Sequence, residues 1–239
     1  MISPMPLLSV VIPCFNEEGN VSVLVEKLSR LVEKDHRVEF ILVDNGSTDG
    51  TGLILEKSLE GRLNLQLVQV KKNTGYGHGI KSGLNRARGE FLGWTHADLQ
   101  TNPEDALLAM KFMRNASDQI LIKGMRSGRP LSDRFFSAAM SIFETILFGL
   151  SLREINAQPT VFSASLLPII LEGPDDFSLD LYTLVEAKKR GYREYRFPVE
   201  FGPRLSGTSK WNFSIKSRIR FIARTIRFSL KLAKTQGTK

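Results

Sequence analysis

Two hydrophobic periods alternate along the chain, one suited to strands and the other to helices. Residues 7–13 are an apolar run rich in β-branched side chains and closed by Pro13, which predicts a buried first strand. Val21, Leu24, Val25, Leu28, Leu31 and Val32 then recur at three- and four-residue steps, the spacing of an amphipathic helix over 21–33. The alternation continues with strands over 38–43, 63–70, from Phe91, and over 119–125, separated by helical stretches over 53–59, 80–88 and 106–114. Repeated strand–helix–strand units call for right-handed crossovers. The expected architecture is α/β, a mostly parallel central sheet flanked by helices.

Past Arg126 the pattern changes. Residues 135–152 are strongly apolar, with Glu144 as the single charge. That length is the lower limit for a membrane span. Ser137, Ser141, Glu144, Thr145 and Ser151 oppose one, because a mid-span carboxylate costs ~2.5–3.5 kcal/mol. The run predicts a long helix or helix pair against the body; burial as a core helix and partial immersion in a membrane surface both stay open. Pro159 and Pro168 exclude long regular elements nearby. Helical periodicity returns over 180–190, and a late strand over 195–201 leads into a small cationic loop over 204–210. From Trp211 onward, Ile215, Ile219, Ile222, Ile226 and Leu230 keep helical steps while Lys216, Arg220, Arg224, Arg227, Lys231 and Lys234 fill other faces. Such a basic amphipathic helix reads as an interfacial membrane helix. The competing reading packs its apolar stripe on the body and leaves the charged face in water.

With 239 residues, 42% hydrophobic and 24% charged, the chain can bury a sizeable core. A main domain over 1–212 with a basic tail over 213–239 is the natural division. A single cysteine, Cys14, excludes a disulfide framework within the chain. Residues 1–6 lack the basic start and apolar core of a cleavable signal. The net charge of +8 is unevenly placed: residues 204–239 hold ten Lys or Arg and no Asp or Glu. Such asymmetry points to an anionic partner, phospholipid or nucleic acid. No stacking platform is paired with basic residues, which leaves nucleic acid the poor choice and an anionic membrane surface the better one.

Candidate chemistry gathers at the strand ends. The run from Phe91 leads into His96, Asp98 and Gln100 at every second position. On an extended backbone these side chains share one face, so an imidazole, a carboxylate and an amide would converge at the carboxyl end of a strand. Pro103 then suits the start of a helix. Gly75, Gly77 and Gly79 mark a loop where backbone comes close to a ligand or to another element. Their spacing is not the dinucleotide fingerprint.

Four segments, Pro13-x-x-Asn16-Glu17-Glu18, residues 43–51 from Val43-Asp44 to Thr51, Asn73-x-Gly75-x-Gly77 and Ala97-Asp98-Leu99-Gln100-x-x-Pro103-Glu104, occur in that order. Together they resemble the family-two inverting glycosyltransferases of the GT-A fold, nearest the dolichol-phosphate mannose synthase-like, polyprenyl-phosphate sugar transferases. Arg204-x-x-Gly207-x-Ser209-Lys210 is similar to the late motif of that subgroup. The resemblance implies a nucleotide-sugar donor, UDP- or GDP-linked, whose diphosphate is held through Mg²⁺ or Mn²⁺. It implies Asp98 and Gln100 as metal ligands, with His96 standing where the family has Asp and open to either the metal or the nucleotide. It implies Glu17 or Glu18 with Asp44 at the nucleoside, helped by Pro13 and Phe15, and donor contacts at Ser47, Gly75, Gly77 and Ala97.

For the acceptor the resemblance implies a polyprenyl monophosphate of the undecaprenyl or dolichyl type, placed by Arg126, Arg134, Arg204 and Lys210, with Asp180 facing it. Each arginine has solvated surface charge as its alternative. The implied location is the cytoplasmic face of a membrane, peripheral, without a transmembrane helix; a homo-oligomer stays open. Two other readings remain. A glycan or lipid-linked saccharide hydroxyl as acceptor would need a general base, for which Asp180 is the candidate. A nucleotide-sugar-binding partner without catalysis is motivated by His96 and by Gln158-Pro159, which replaces the usual Gly-Phe.

Overall fold

The computed structural model describes residues 5–113, 118–128, 131–204 and 215–236, excluding the side chains of 131–136, 215–221 and 236. β1 (Leu8–Cys14), α1 (Glu18–Lys34), β2 (Val38–Asp44), α2 (Thr51–Leu59), β3 (Leu65–Gln69), α3 (Tyr76–Leu84) and β4 (Phe91–Trp94) follow the alternation read from the sequence. After them come α4 (Asp105–Ala109), β5 (Ile120–Ser127), α5 (Leu131–Phe148), β6 (Thr160–Ser163), α6 (Leu167–Leu171), α7 (Leu179–Lys189), β7 (Arg193–Glu200) and α8 (Ile215–Gln236). The strands form one sheet in the order β3-β2-β1-β4-β6-β5-β7. All pairings are parallel except those of β6, which runs against both β4 and β5.

Residues alternate between the two faces of the sheet, which accounts for two apolar clusters. Val10 and Ile12 of β1 join one with Val21, Leu24 and Leu28 of α1. Val11 joins the other with Ile80 and Leu84 of α3 and Leu184 of α7. Because β2 lies on one side of β1 and β4 on the other, the crossovers diverge there. A crevice opens beyond the carboxyl ends of β1 and β4, where an open α/β sheet binds its ligands.

Several expectations are corrected. Pro13 does not end β1, which runs on to Cys14. β4 pairs only as far as Val11, so Pro13 lies beyond its reach and its missing N–H costs no ladder bond on that side. Gly77 and Gly79 lie not in a loop but in the first turn of α3, and Gly75, at φ 146°, stands just before it. Residues 131–148 are one helix and not a pair. The apolar stripe of α8 packs on the body over part of its length: Leu232 is buried and Phe228 half-buried against the second cluster. No helix among the described residues is long and apolar enough to cross a membrane.

Candidate functional site

The loops after β1 and β2 are stitched together at the mouth of the crevice. Asn16, held at φ 56°, receives a hydrogen bond on its side-chain oxygen from Thr48 N–H (2.9 Å), and its own N–H donates to Ser47 Oγ (3.1 Å). Glu18 N–H donates to Asp49 Oδ2 (3.3 Å), and Glu18 Oε2 accepts from Gly50 N–H (3.1 Å). Asp44 Oδ1 accepts from Ser47 N–H at 3.0 Å. Both glutamates read from the sequence secure the loops. Glu17 does so through its N–H, which donates to Thr51 Oγ1 (2.8 Å); its Oε2 accepts from Asn20 Nδ2 (2.5 Å) and its Oε1 faces the centre of the crevice.

There the Arg204 guanidinium gathers three side chains. Its NH2 lies 2.8 Å from Asp98 Oδ2, its Nε donates to Gln100 Oε1 (3.3 Å), and its NH1 lies 4.0 Å from Glu17 Oε1. Gln100 is fixed in turn by Gly202, donating Nε2–H to its carbonyl (3.1 Å) and accepting its N–H (2.8 Å). The strand that carries this cluster stops at Trp94, and Leu99 adopts φ 58°. The extended alternation expected for His96, Asp98 and Gln100 is thus replaced by a turn. Asp98 and Gln100 meet on Arg204 because of that turn.

His96 goes elsewhere. Its ring lies 5.6 Å from that of Tyr76, tilted by 31°, and Tyr76 stacks on Phe177 at 4.5 Å and 9°. Ala97 is buried in the core. Gly75 and Gly77 meet the segment 174–176: a Cβ at either would strike the carbonyls of Asp175 or Pro174. His78 N–H donates to Asp175 O at 3.0 Å, and Lys81 Nζ reaches Gly173 O at 2.6 Å and Asp175 Oδ1 at 2.8 Å. The glycine motif serves this close approach of backbone to backbone, the second of the two readings left open.

Asp180 is 1% exposed. Its Oδ1 accepts from Gln158 Nε2 (2.8 Å) and Trp94 Nε1 (3.2 Å) and lies 3.9 Å from Lys123 Nζ. Lys123 also donates to Thr160 Oγ1 at 2.6 Å, and burial pushes its pKa down to about 8. Gln158 Nε2 contacts the Tyr76 hydroxyl at 3.4 Å, whose pKa is raised well above the ordinary value by burial and by the charges of Asp180 and Asp98. Sequence reading missed Lys123, Trp94 and Tyr76. One signal was available: a lysine inside an apolar strand, Ile-Leu-Ile-Lys, needs a buried partner.

Arg126 pairs with Glu154 at 2.8 Å and covers the Phe201 ring at 5.8 Å. It lines a groove of about 1110 Å³ with Met125, Ile142, Ile146, Arg153 and Pro198. The Arg134 side chain and Lys210 lie outside the described residues.

For a divalent ion the donor set is suitable in kind. Asp98, Gln100 and Glu17 offer hard oxygens that already converge on one cation, the guanidinium. Among the described residues no group of three or more His, Cys, Asp or Glu could hold a metal alone. The remaining positions would fall to phosphate and water oxygens.

A mostly parallel sheet carries a carboxylate and an arginine at its switch point, and the sequence supplies the class: the profile described as Glycosyl transferase family 2 matches residues 9–155. The chain belongs to that family. Dodecaprenyl-phosphate galacturonate synthase of Rhizobium johnstonii is 42% identical over 101 residues, 41% of this chain and 30% of that protein. Undecaprenyl-phosphate 4-deoxy-4-formamido-L-arabinose transferase of Pseudomonas syringae is 33% identical over 129 residues, 53% of this chain and 37% of the other. The matched stretches span only around a third of these relatives.

Among solved structures, glucosyl-3-phosphoglycerate synthase from Mycobacterium tuberculosis, with Mn²⁺, UDP and phosphoglyceric acid, superposes with TM-score 0.69 at 19% identity, covering 95% of this chain and 78% of that one. A mannosyltransferase from Pyrobaculum calidifontis, in complex with GDP-Man and Mn²⁺, gives 0.61 at 23%, covering 84% and 58%. These likenesses establish the GT-A fold.

Proposed function

We propose that this chain moves a sugar from a nucleoside diphosphate donor to a polyprenyl phosphate, with inversion at the anomeric carbon. The observation that carries the reading is the convergence of Glu17, Asp98 and Gln100 on Arg204 at the sheet's switch point. A donor diphosphate competes with these oxygens for the guanidinium, which can grip phosphate through two N–H groups. Mg²⁺ or Mn²⁺ held by Asp98 and Gln100 would supply Lewis-acid neutralisation of the departing diphosphate.

The acceptor phosphate oxygen attacks the anomeric carbon from the side opposite the diphosphate. The bond from that carbon to the diphosphate oxygen breaks, and its electron pair leaves with the nucleotide. An ionised phosphate has no proton to lose, so no general base is required. Asp180 supports this acceptor over a hydroxyl: buried, with Gln158, Trp94 and Lys123 around one oxygen, it is occupied as an internal anchor.

The groove beside Arg126 offers the lipid chain apolar walls at Met125, Ile142 and Ile146, each of them exposed. The reading of peripheral attachment to an anionic membrane is supported by the same face of α5 together with the exposed Arg227, Lys231 and Lys234 of α8. The relatives' names support the acceptor class and extend the donor panel to uronic acid and formamido-pentose sugars.

The test is transfer of labelled sugar from UDP- and GDP-linked donors to undecaprenyl phosphate in detergent, with Mn²⁺ or with chelator. Product that needs both Mn²⁺ and Asp98 is expected. Transfer only to a water-soluble sugar would refute the acceptor, and no transfer from any donor despite nucleotide binding would refute catalysis.

A further inference from the structure

His96 and Gln158 are far apart in sequence yet meet on one side chain. His96 lies against the ring of Tyr76, and Gln158 Nε2 contacts the Tyr76 hydroxyl. We propose that His96 is a positioning residue, which braces the Asp98 turn through Tyr76 and neither ligates the metal nor contacts the nucleotide. The inference rests on the donor-site reading above and names how that site is held.

Every residue of the turn is secured from a different direction. His96 lies tilted against Tyr76, on which Phe177 stacks at 4.5 Å. Ala97 is sunk in the core, Leu99 holds its left-handed conformation, and Gln100 is tied to Gly202 by two hydrogen bonds. Within the turn Asp98 is the residue that brings a carboxylate to the site, and it faces Arg204. The brace continues inward, since Gln158 also donates to Asp180, itself held by Trp94, the last residue of β4. A carboxylate at position 96 would set a third anion beside a buried hydroxyl already flanked by Asp98 and Asp180. An aromatic ring there gains a favourable ring contact instead. Residues behind a metal ligand fix its orientation, and their loss weakens metal affinity without touching the ion.

The experiment uses the full chain and follows Mn²⁺ binding in the presence of UDP or GDP by calorimetry, with melting temperature measured alongside. His96→Phe keeps a ring and removes both nitrogens; it is expected to bind Mn²⁺ within about twofold of the parent, whereas His96→Leu and His96→Asp weaken binding by about tenfold. Equal losses in His96→Phe and His96→Leu would overturn the proposal, because a ring nitrogen would then be needed. Binding retained or tightened in His96→Asp would overturn it too, by making the position a ligand. So would a His96→Leu variant that melts earlier but binds Mn²⁺ normally, since the role would be structural only. If the parent bound no Mn²⁺ with either nucleotide, the donor-site reading would fail, and the brace would be judged separately. Urea midpoints of His96→Leu, Tyr76→Leu and the double variant decide that: a double loss smaller than the sum of the singles upholds the coupling, and an additive loss refutes it.

Discussion

In the proposed donor site, Arg204 concentrates in one guanidinium what a diphosphate needs: a cation with a planar fork, paired with Asp98, bonded to Gln100 and 4.0 Å from Glu17. Its pairing with Asp98 at 2.8 Å aims a nearly buried carboxylate into the crevice. Asp98→Asn keeps the shape and removes the charge. Initial rates of labelled-sugar transfer are expected to fall on the order of 10²–10³-fold, the loss typical of a group that stabilises transition-state charge. Arg204→Lys should lower the same rate by about tenfold, because an ammonium keeps the charge but not the bidentate geometry. Asp98, Gln100 and Glu17 were legible as residues, because their motifs stand at predicted strand ends. Their arrangement was not: the every-second-residue reading presumed an extended chain, and the positive φ at Leu99 breaks that presumption. The Lys123–Asp180 pair was hidden for another reason. It joins β5 to α7, and no local spacing encodes a contact made across the sheet.

At the scale of elements, most of the helix and strand order could be read from periodicity, because each element buries one face and the two periods differ; β6 and α6, four and five residues long, are too short to show a period and were missed. Boundaries shifted where a neighbour supplied what the local sequence lacked, as when α3 begins inside the glycine motif by docking on residues 173–176. Gly77→Ala should therefore cost about 1–3 kcal/mol in urea denaturation, since the new methyl meets the Pro174 carbonyl and the segment must move. α5 and α8 meet at a second point where burial has consequences. Glu144 is fully buried, accepts from Ser229 Oγ at 2.7 Å, and has an Oε2 without a partner among the described residues. Burial pushes its pKa up from 4.5 to about 7. The folded state thus favours the protonated acid, so this contribution to stability is complete below pH 4.5 and is lost as pH rises through about 7. Melting temperature should fall between pH 5 and 8, and Glu144→Gln should remove part of that fall. Asp105, raised to about 6 by burial, contributes in the same direction and stays in the variant. The difference between the two proteins isolates Glu144.

Over the whole molecule, charge and apolar surface are divided between faces in a way composition only hinted at. The tail's ten uncompensated basic residues were visible in the sequence, but not that α8 spends Phe228, Ser229 and Leu232 on the body. What it leaves outward is a basic strip: Arg227, Lys231 and Lys234 lie within one sector of the helix, next to the exposed Leu230. α5 adds Ile142 and Ile146, on the side of its helix opposite Glu144. A surface of this kind should bind anionic bilayers mainly by charge, with the apolar side chains adding a shallow contact. At ~1 kcal/mol for each Lys or Arg near an anionic leaflet, neutralising three costs about 3 kcal/mol, on the order of a hundredfold in partitioning. Co-sedimentation with phosphatidylglycerol vesicles is expected to show that loss for Arg227→Gln/Lys231→Gln/Lys234→Gln. Phosphatidylcholine vesicles should bind the parent and the triple variant alike and weakly. Raising salt from 0.05 to 0.5 M should release the parent from the anionic vesicles, because the Debye length shrinks well below the separation of exposed charges. Ile142→Ser/Ile146→Ser should weaken binding less and leave what remains fully dependent on headgroup charge. If the triple variant instead sedimented like the parent, contact would run through α5 alone, and the basic strip would owe its charge to something other than a membrane.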